Sequence, residues 1–207
     1  MALSTYSELK TSVADWLNRS DLTSAVPDFI SLAEAQVERR LRTRQMIVRA
    51  TATIDSEYSA VPSDFLEARS LKLQTNPVTP VGFETIDSLD QLSTQYTSAG
   101  KPQFFSIVGG QIRTVPIADS SYTAELVYYA KLSKLSDSNT TNWLLTAAPD
   151  IYLYGALMQA APYLKDDARI GTWSQMYLTA LQDLQTADDR GSTCLLYTSP
   201  SPRDQRG

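Results

Sequence analysis

The hydrophobic period of this chain changes twice, and that constrains its fold more than any other feature. The period is helical as far as about Arg44, two-residue in the stretches between Val48 and Leu132, and helical again from Pro149. A period near 3.6 puts apolar side chains on one stripe of a helix, and a period of two puts them on one face of a strand. The chain must therefore leave a helical cluster, build a sheet and return. The first helix is expected over about Tyr6 to Arg19. Thr5 and Glu8 have capping-box spacing, and Tyr6, Leu9, Val13 and Trp16/Leu17 recur every three or four residues. The second is expected to start near Pro27, a residue suited to a first turn, and to end around Arg44. Ile30, Ala33, Val37 and Leu41 make its stripe.

Val48 to Ile54 is β-branched and partly alternating, so it reads as a strand. Asp55-Ser56-Glu57 reads as a turn and Tyr58 to Val61 as the strand that returns alongside it. Pro62 to Leu66 is a corner, Arg69 to Leu73 a further strand, and Asn76-Pro77 with Thr79-Pro80 a loop. Ile86, Leu89 and Leu92 mark a short helix ending near Tyr96. Gln103–Val108 and Gln111–Pro116 flank Gly109-Gly110, whose two glycines supply the positive φ angles of a primed two-residue turn. From Tyr122 to Leu132 the alternation is regular. Ala124, Leu126, Tyr128 and Ala130 share one face, and Thr123, Glu125, Val127, Tyr129 and Lys131 the other.

The helical period resumes with Ile151, Tyr154, Leu157, Met158 and Ala161 until Pro162 stops it. A last helix, capped by Asp166 or Asp167, carries Ile170, Trp173, Tyr177, Leu181 and Leu184 to about Asp188. Four stripes that each need a partner are buried together most simply in one cluster. The expected fold class is therefore α+β. A four-helix bundle forms from two N-terminal and two C-terminal helices (residues 1–45 and 133–190), with an antiparallel β-rich insertion lobe and a short helix over 46–132.

The remaining 17 residues, Gly191 to Gly207, do not fit this scheme. Cys194 to Asp204, CLLYTSPSPRD, is Ser/Pro-rich, has no period, and resembles a translated sequencing-library adapter. The stretch 191–207 is read as a non-native disordered tail, with the native C-terminus missing. Setting aside its Arg203, Arg206 and Asp204 moves the net charge from −5 to −6. So acidic a chain is not built to neutralise phosphate backbones in general.

Reaction chemistry has few candidates. The chain has no histidine, and its only cysteine lies in the tail. The commonest base, the commonest metal ligand and every Ser-His or Cys-His pair are thereby missing. No phosphate-cradling glycine loop precedes a helix. Asp166-Asp167 and Asp188-Asp189 sit at expected helix ends, where capping and solvation explain them, and the run DSNTTN (137–142) reads as a turn. The expectation is a chain that is no enzyme and needs no cofactor or metal. No apolar run approaches the ~20 residues of a membrane span, and no signal peptide is visible, so synthesis in the host cytoplasm is expected.

Two features suggest contact surfaces. Arg39, Arg40, Arg42 and Arg44 crowd the end of the second helix. They form a solvated helix end, with Glu38 paired to Arg42 at i,i+4, or a docking surface for carboxylates of a partner, or a contact with DNA. The adjacent tyrosines Tyr128 and Tyr129 serve an interface or cover the base of the sheet.

Taken together, several segments resemble phage adaptor proteins, the head-to-tail connector subunits of short-tailed phages and related prophages. They are ALSTYSELKTSVADWLNRSDL, VPDFISLAEAQVERRLRTR, VPSDFLEARSLKL, FFSIVGGQIRTVP and NWLLTAAPDIYLYGALMQAAPYLKDDARIGTW, in this order, spanning about Leu3 to Arg190. The resemblance implies a structural protein of the virion neck, assembled as a dodecameric ring beneath the portal protein. It would carry tail nozzle or fibre proteins, with DNA passing through its centre. Arg39, Arg40, Arg42, Arg44, Tyr128 and Tyr129 are the candidate subunit or portal contacts. The alternative is a nucleic-acid-binding helical regulator that uses the arginine-rich helix end.

Overall fold

The computed structural model describes residues 3–19, 21–164 and 169–193. The chain divides into two compact units. One is built from both ends of the chain, up to Arg44 and from Leu132 onward, and the other is Gln45–Lys131. The described residues hold six α-helices and seven strands: α1 Tyr6–Leu17, α2 Val26–Arg40, β1 Ile47–Ile54, β2 Tyr58–Ala60, β3 Phe65–Leu73, β4 Thr79–Phe83, α3 Ile86–Gln95, β5 Phe104–Val108, β6 Gln111–Val115, β7 Tyr122–Ala130, α4 Trp143–Ala147, α5 Pro149–Ala160 and α6 Ile170–Thr193. The α+β class stands. The four-helix bundle with an antiparallel lobe does not, for two separate reasons.

The first reason lies in the helical unit, which has five helices arranged around one of them. α1 opens with the expected capping box: the Thr5 side chain accepts from the Glu8 amide, and the Glu8 carboxylate accepts from the Thr5 amide. It closes on Asn18 in the left-handed region at φ 53°. α5 departs from the amphipathic pattern. Ile151, Tyr152, Leu153, Gly155, Ala156, Leu157 and Ala160 are buried, so it is covered on most of its circumference rather than on one stripe. A helix that is apolar all round is a central element. α5 accordingly packs against α1, α2, α4 and α6. Gly155 marks its tightest approach. A β-carbon there would stand 3.1 Å from Ala33 Cβ of α2 and 3.2 Å from Tyr177 Cε2 of α6.

The second reason is the sheet, whose strand order is β1-β7-β3-β4-β5-β6-β2. β1 and β2 were expected to pair across Asp55–Glu57. Instead β1 pairs with β7, β2 pairs with β6, and the two stand at opposite ends of the order. A flat seven-stranded sheet would separate its edge strands by about 29 Å at ordinary strand spacing. The link from Ile54 to Tyr58 spans at most about 14 Å. The sheet therefore curls until its edges nearly meet, which makes it a near-barrel rather than an open sheet. Its interior holds Ile54, Leu71, Leu73, Val81, Phe105, Ile112, Ala124, Leu126, Tyr128 and Ala130. Nor is it purely antiparallel, since β4 and β5 pair in parallel at Gly82–Phe104 and Phe83–Phe105. β4 falls where the proline pattern suggested a loop. Pro80 removes one ladder donor opposite Lys72, yet Val81 beside it fills the core.

The β5–β6 hairpin forms as expected, with Gly109 at φ 57° and Gly110 at φ 76°. The alternation of β7 is also as read, with Ala124, Leu126, Tyr128 and Ala130 buried. α6 continues past Asp188 to Thr193, so its last turn takes in the first residues of the stretch read as a tail. The caps expected from Asp166 or Asp167, and the stretch Cys194–Gly207, lie outside the described residues.

Candidate assembly interface

The arginine-rich end of α2 resolves into two kinds of side chain. α2 stops at Arg40 because Leu41 turns to an extended conformation (φ −92°, ψ 132°), four residues earlier than expected. Arg42 then folds back, and its Nη1 donates to the carbonyls of Glu38 (2.8 Å) and Leu41 (2.7 Å). These belong to the carbonyls a helix end leaves unpaired, so Arg42 acts as a cap. Arg44 is held by Asp188 of α6. The Asp188 carboxylate accepts from Arg44 Nε at 2.9 Å and from the Arg44 amide at 3.2 and 3.3 Å. The Asp188 side chain is only 11% exposed, which makes the pair a structural tie rather than a loose surface contact. The guanidinium lies across Gly191, where any β-carbon would collide with it.

Arg39 and Arg40 differ from both. They occupy the last turn of α2, are exposed, and among the described residues make no ion pair or side-chain hydrogen bond. They lie near the buried Tyr177 of α6. Burial pushes the Tyr177 phenol up, and the charges of Arg40 and Arg39 pull back against that rise.

The two tyrosines separate by strand alternation. Tyr128 points into the β unit at 4% exposure. Its ring stacks on Phe65 with centroids 5.7 Å apart, and its hydroxyl donates to Asp64 Oδ1 at 2.8 Å. Burial first, and then the bond to Asp64 and its charge, push the phenol up to about 12. A ring so placed presents almost no surface to a partner. Tyr129 points to the opposite face, is half-buried, and carries the Arg69 guanidinium 5.7 Å over its ring.

The helical unit also holds a polar cluster that pattern reading passed over. Glu34 sits on the apolar face of α2 at 2% exposure. Its Oε1 accepts from the Leu135 amide (2.9 Å) and from the Tyr152 hydroxyl (3.1 Å), and Tyr152 in turn accepts from Asn142 Nδ2 (2.6 Å). One turn along α2, Glu38 accepts from the Leu132 amide at 3.1 Å. The returning segment 132–135 is thus laid along α2 by two carboxylates at i,i+4. Burial holds the Glu34 carboxyl above the usual carboxylate range, against the opposing pull of both hydrogen bonds. The signal was present in the sequence as a charged residue within the stripe Ile30, Ala33, Val37. The polar run 137–142 is spent on turns and on a cap, with Asn142 Oδ1 accepting from the Leu145 amide at the start of α4.

A groove of about 430 Å³ runs between α5 and α6. Asp150 and Asp183 supply charge there, and Tyr154 and Met176 supply apolar surface. Among the described residues no basic side chain lines it. Among the described residues no group of three or more His, Cys, Asp or Glu could hold a metal ion, and no helix is long and apolar enough to cross a membrane.

Residues 4–200 match the family described as SU10 adaptor protein. The match runs on from α6 into the stretch that reads as a foreign tail. No curated protein matches the chain.

Proposed function

This chain belongs to the SU10 adaptor protein family, and on that premise we propose that it is a structural subunit of a phage head-to-tail connector. In this reading, copies of the chain form a ring that docks beneath the portal protein and receives tail proteins. Genome DNA passes through the ring, and the protein resides at the neck of the virion. Its work is to fit other proteins rather than to turn over a substrate. The observation that carries the reading is the family match across residues 4–200, which includes both units. The surface chemistry supports it. Arg39 and Arg40 are exposed with no ion pair among the described residues, and guanidinium groups suit carboxylates on another protein. The net charge of −5 suits a wall past which DNA moves without adhering.

The test is size-exclusion chromatography with light scattering, run with the chain alone and with portal rings of the same phage. The expected result is a complex with several copies of the chain per portal ring. A chain that stays monomeric and passes the portal without retention overturns the proposal. The portal arm decides, because a connector subunit can await its platform before assembling.

A further inference from the structure

We propose that the groove between α5 and α6 receives the Arg39–Arg40 end of α2 from a neighbouring copy of this chain, which makes a head-to-tail contact. The inference rests on the ring reading above and names the surfaces that would build the ring. Its grounds are charge, shape and placement.

The charges are complementary and unspent. Arg39 and Arg40 have no internal counter-ion among the described residues, whereas Lys10 pairs with Asp137, Arg19 with Asp21 and Arg44 with Asp188. On the other side, Asp150 and Asp183 line the groove, with no cation among its described lining residues. Asp150 accepts only from the adjoining Ile151 amide at 3.0 Å, in the first turn of α5, and Asp183 makes no side-chain bond among the described residues. Two guanidinium forks and two carboxylates match in number and sign.

The groove also has the composition of a contact surface. Tyr154 and Met176 flank the carboxylates, Met176 is well exposed, and Thr179 and Gln175 add neutral hydrogen-bonding groups. Tyr, Met and Arg are enriched where proteins meet. Trp16 of α1, 45% exposed, meets Tyr154 edge-on at 6.0 Å and extends the apolar rim.

Placement sets the two patches apart. α6 turns about 100° per residue. Tyr177, which meets Gly155 of α5 where Ala33 of α2 also packs, lies on the buried stripe with Trp173 and Leu181. Gln175, Thr179 and Asp183 lie more than 100° round the helix from Tyr177. α2, which carries the arginines, and the groove therefore lie on different flanks of α6. Two distinct complementary patches on separate flanks suit a heterologous contact, which closes into a ring when the rotation per copy divides a full turn.

Charge reversal tests the pairing. R39E/R40E presents acid to an acidic groove, and D150K/D183K presents base to basic tips, so each variant alone should lose multi-copy assembly on portal rings by light scattering. Mixed in equal amounts, the two should regain assembly, because every contact between unlike variants restores opposite charges. Circular dichroism melts check that both variants stay folded. Either variant assembling like wild type, or a mixture that fails to regain assembly, overturns the pairing. A wild-type chain that never assembles on the portal removes the ring reading, and this inference with it. That outcome is distinguished from failure of the pairing alone by the wild-type arm.

Discussion

Glu34 accepts from the Leu135 amide and the Tyr152 hydroxyl at a site almost closed to water. Truncating it leaves both donors buried without that acceptor, at roughly 1–3 kcal/mol for each orphaned group. Glu34→Ala should therefore lower the unfolding free energy by at least about 2 kcal/mol in urea titration, and a loss below about 0.5 kcal/mol would contradict the cluster. Its titration makes a second prediction. Burial raises the folded-state carboxyl above its value in the unfolded chain, so the folded state holds the proton more tightly. That contribution is complete below the ordinary glutamate range and is lost as pH rises through the raised value. Glu34→Gln keeps an acceptor but does not titrate. Its stability relative to wild type should improve between pH 4 and pH 7, and a difference that does not change with pH rules the assignment out. The arginines give a third. Arg42 caps two carbonyls, so Arg42→Ala should cost about 1 kcal/mol. Arg40→Glu should stay within about 0.5 kcal/mol of wild type in the same urea measurement, because the side chain is exposed and unpaired.

At the scale of elements, two glycines in helices make opposite predictions. Alanine is favoured over glycine in a helix by about 1 kcal/mol. Gly171 in α6 has nothing among the described residues within 4 Å of where a β-carbon would stand, so Gly171→Ala should raise the thermal midpoint. Gly155 in α5 is squeezed between Ala33 and Tyr177 from two different helices, and neither can yield without moving its own helix. Overpacking of this kind costs about 1–3 kcal/mol, so Gly155→Ala should lower the midpoint despite the better propensity. Equal shifts in both variants would show that α5 is not pinned from two sides. The same elements show what was legible beforehand. The α1 capping box, the Gly109-Gly110 turn and the alternation of β7 are local, set by residues a few positions apart, and they read correctly. The partner of β1 is not local: Ile47 pairs with Tyr129, more than eighty positions away, and adjacency in sequence wrongly suggested β2. α5 misled for a different reason. A stripe can be drawn through a helix that is apolar all round, and choosing Tyr154 and Met158 for it hid the buried Tyr152 and Leu153. Of the candidate interface residues, the arginine cluster was visible as composition. Its division into two tethered and two unpartnered side chains depended on Asp188, 144 positions from Arg44.

For the whole molecule, the balance of charge decides between an adaptor and a nucleic-acid binder. The net charge is −5, and at the arginine-rich end of α2 Arg39 and Arg40 have no ion pair among the described residues, whereas Arg42 and Arg44 already serve carbonyls and Asp188. Affinity for duplex DNA falls with salt by a log–log slope of about −0.9 per phosphate neutralised. If both arginines reach phosphates, the slope is about −2. Moving from 50 to 200 mM salt then costs only about tenfold, where a dedicated binder with six to ten phosphate contacts loses 10³–10⁵. Weak contacts made against the repulsion of an acidic surface should leave no retention of duplex DNA at ~150 mM salt in a filter or gel-shift measurement. Tight retention with a slope near −6 or steeper would mean that this end of α2 belongs to a DNA-binding protein, and the family's structural role would not account for the chain.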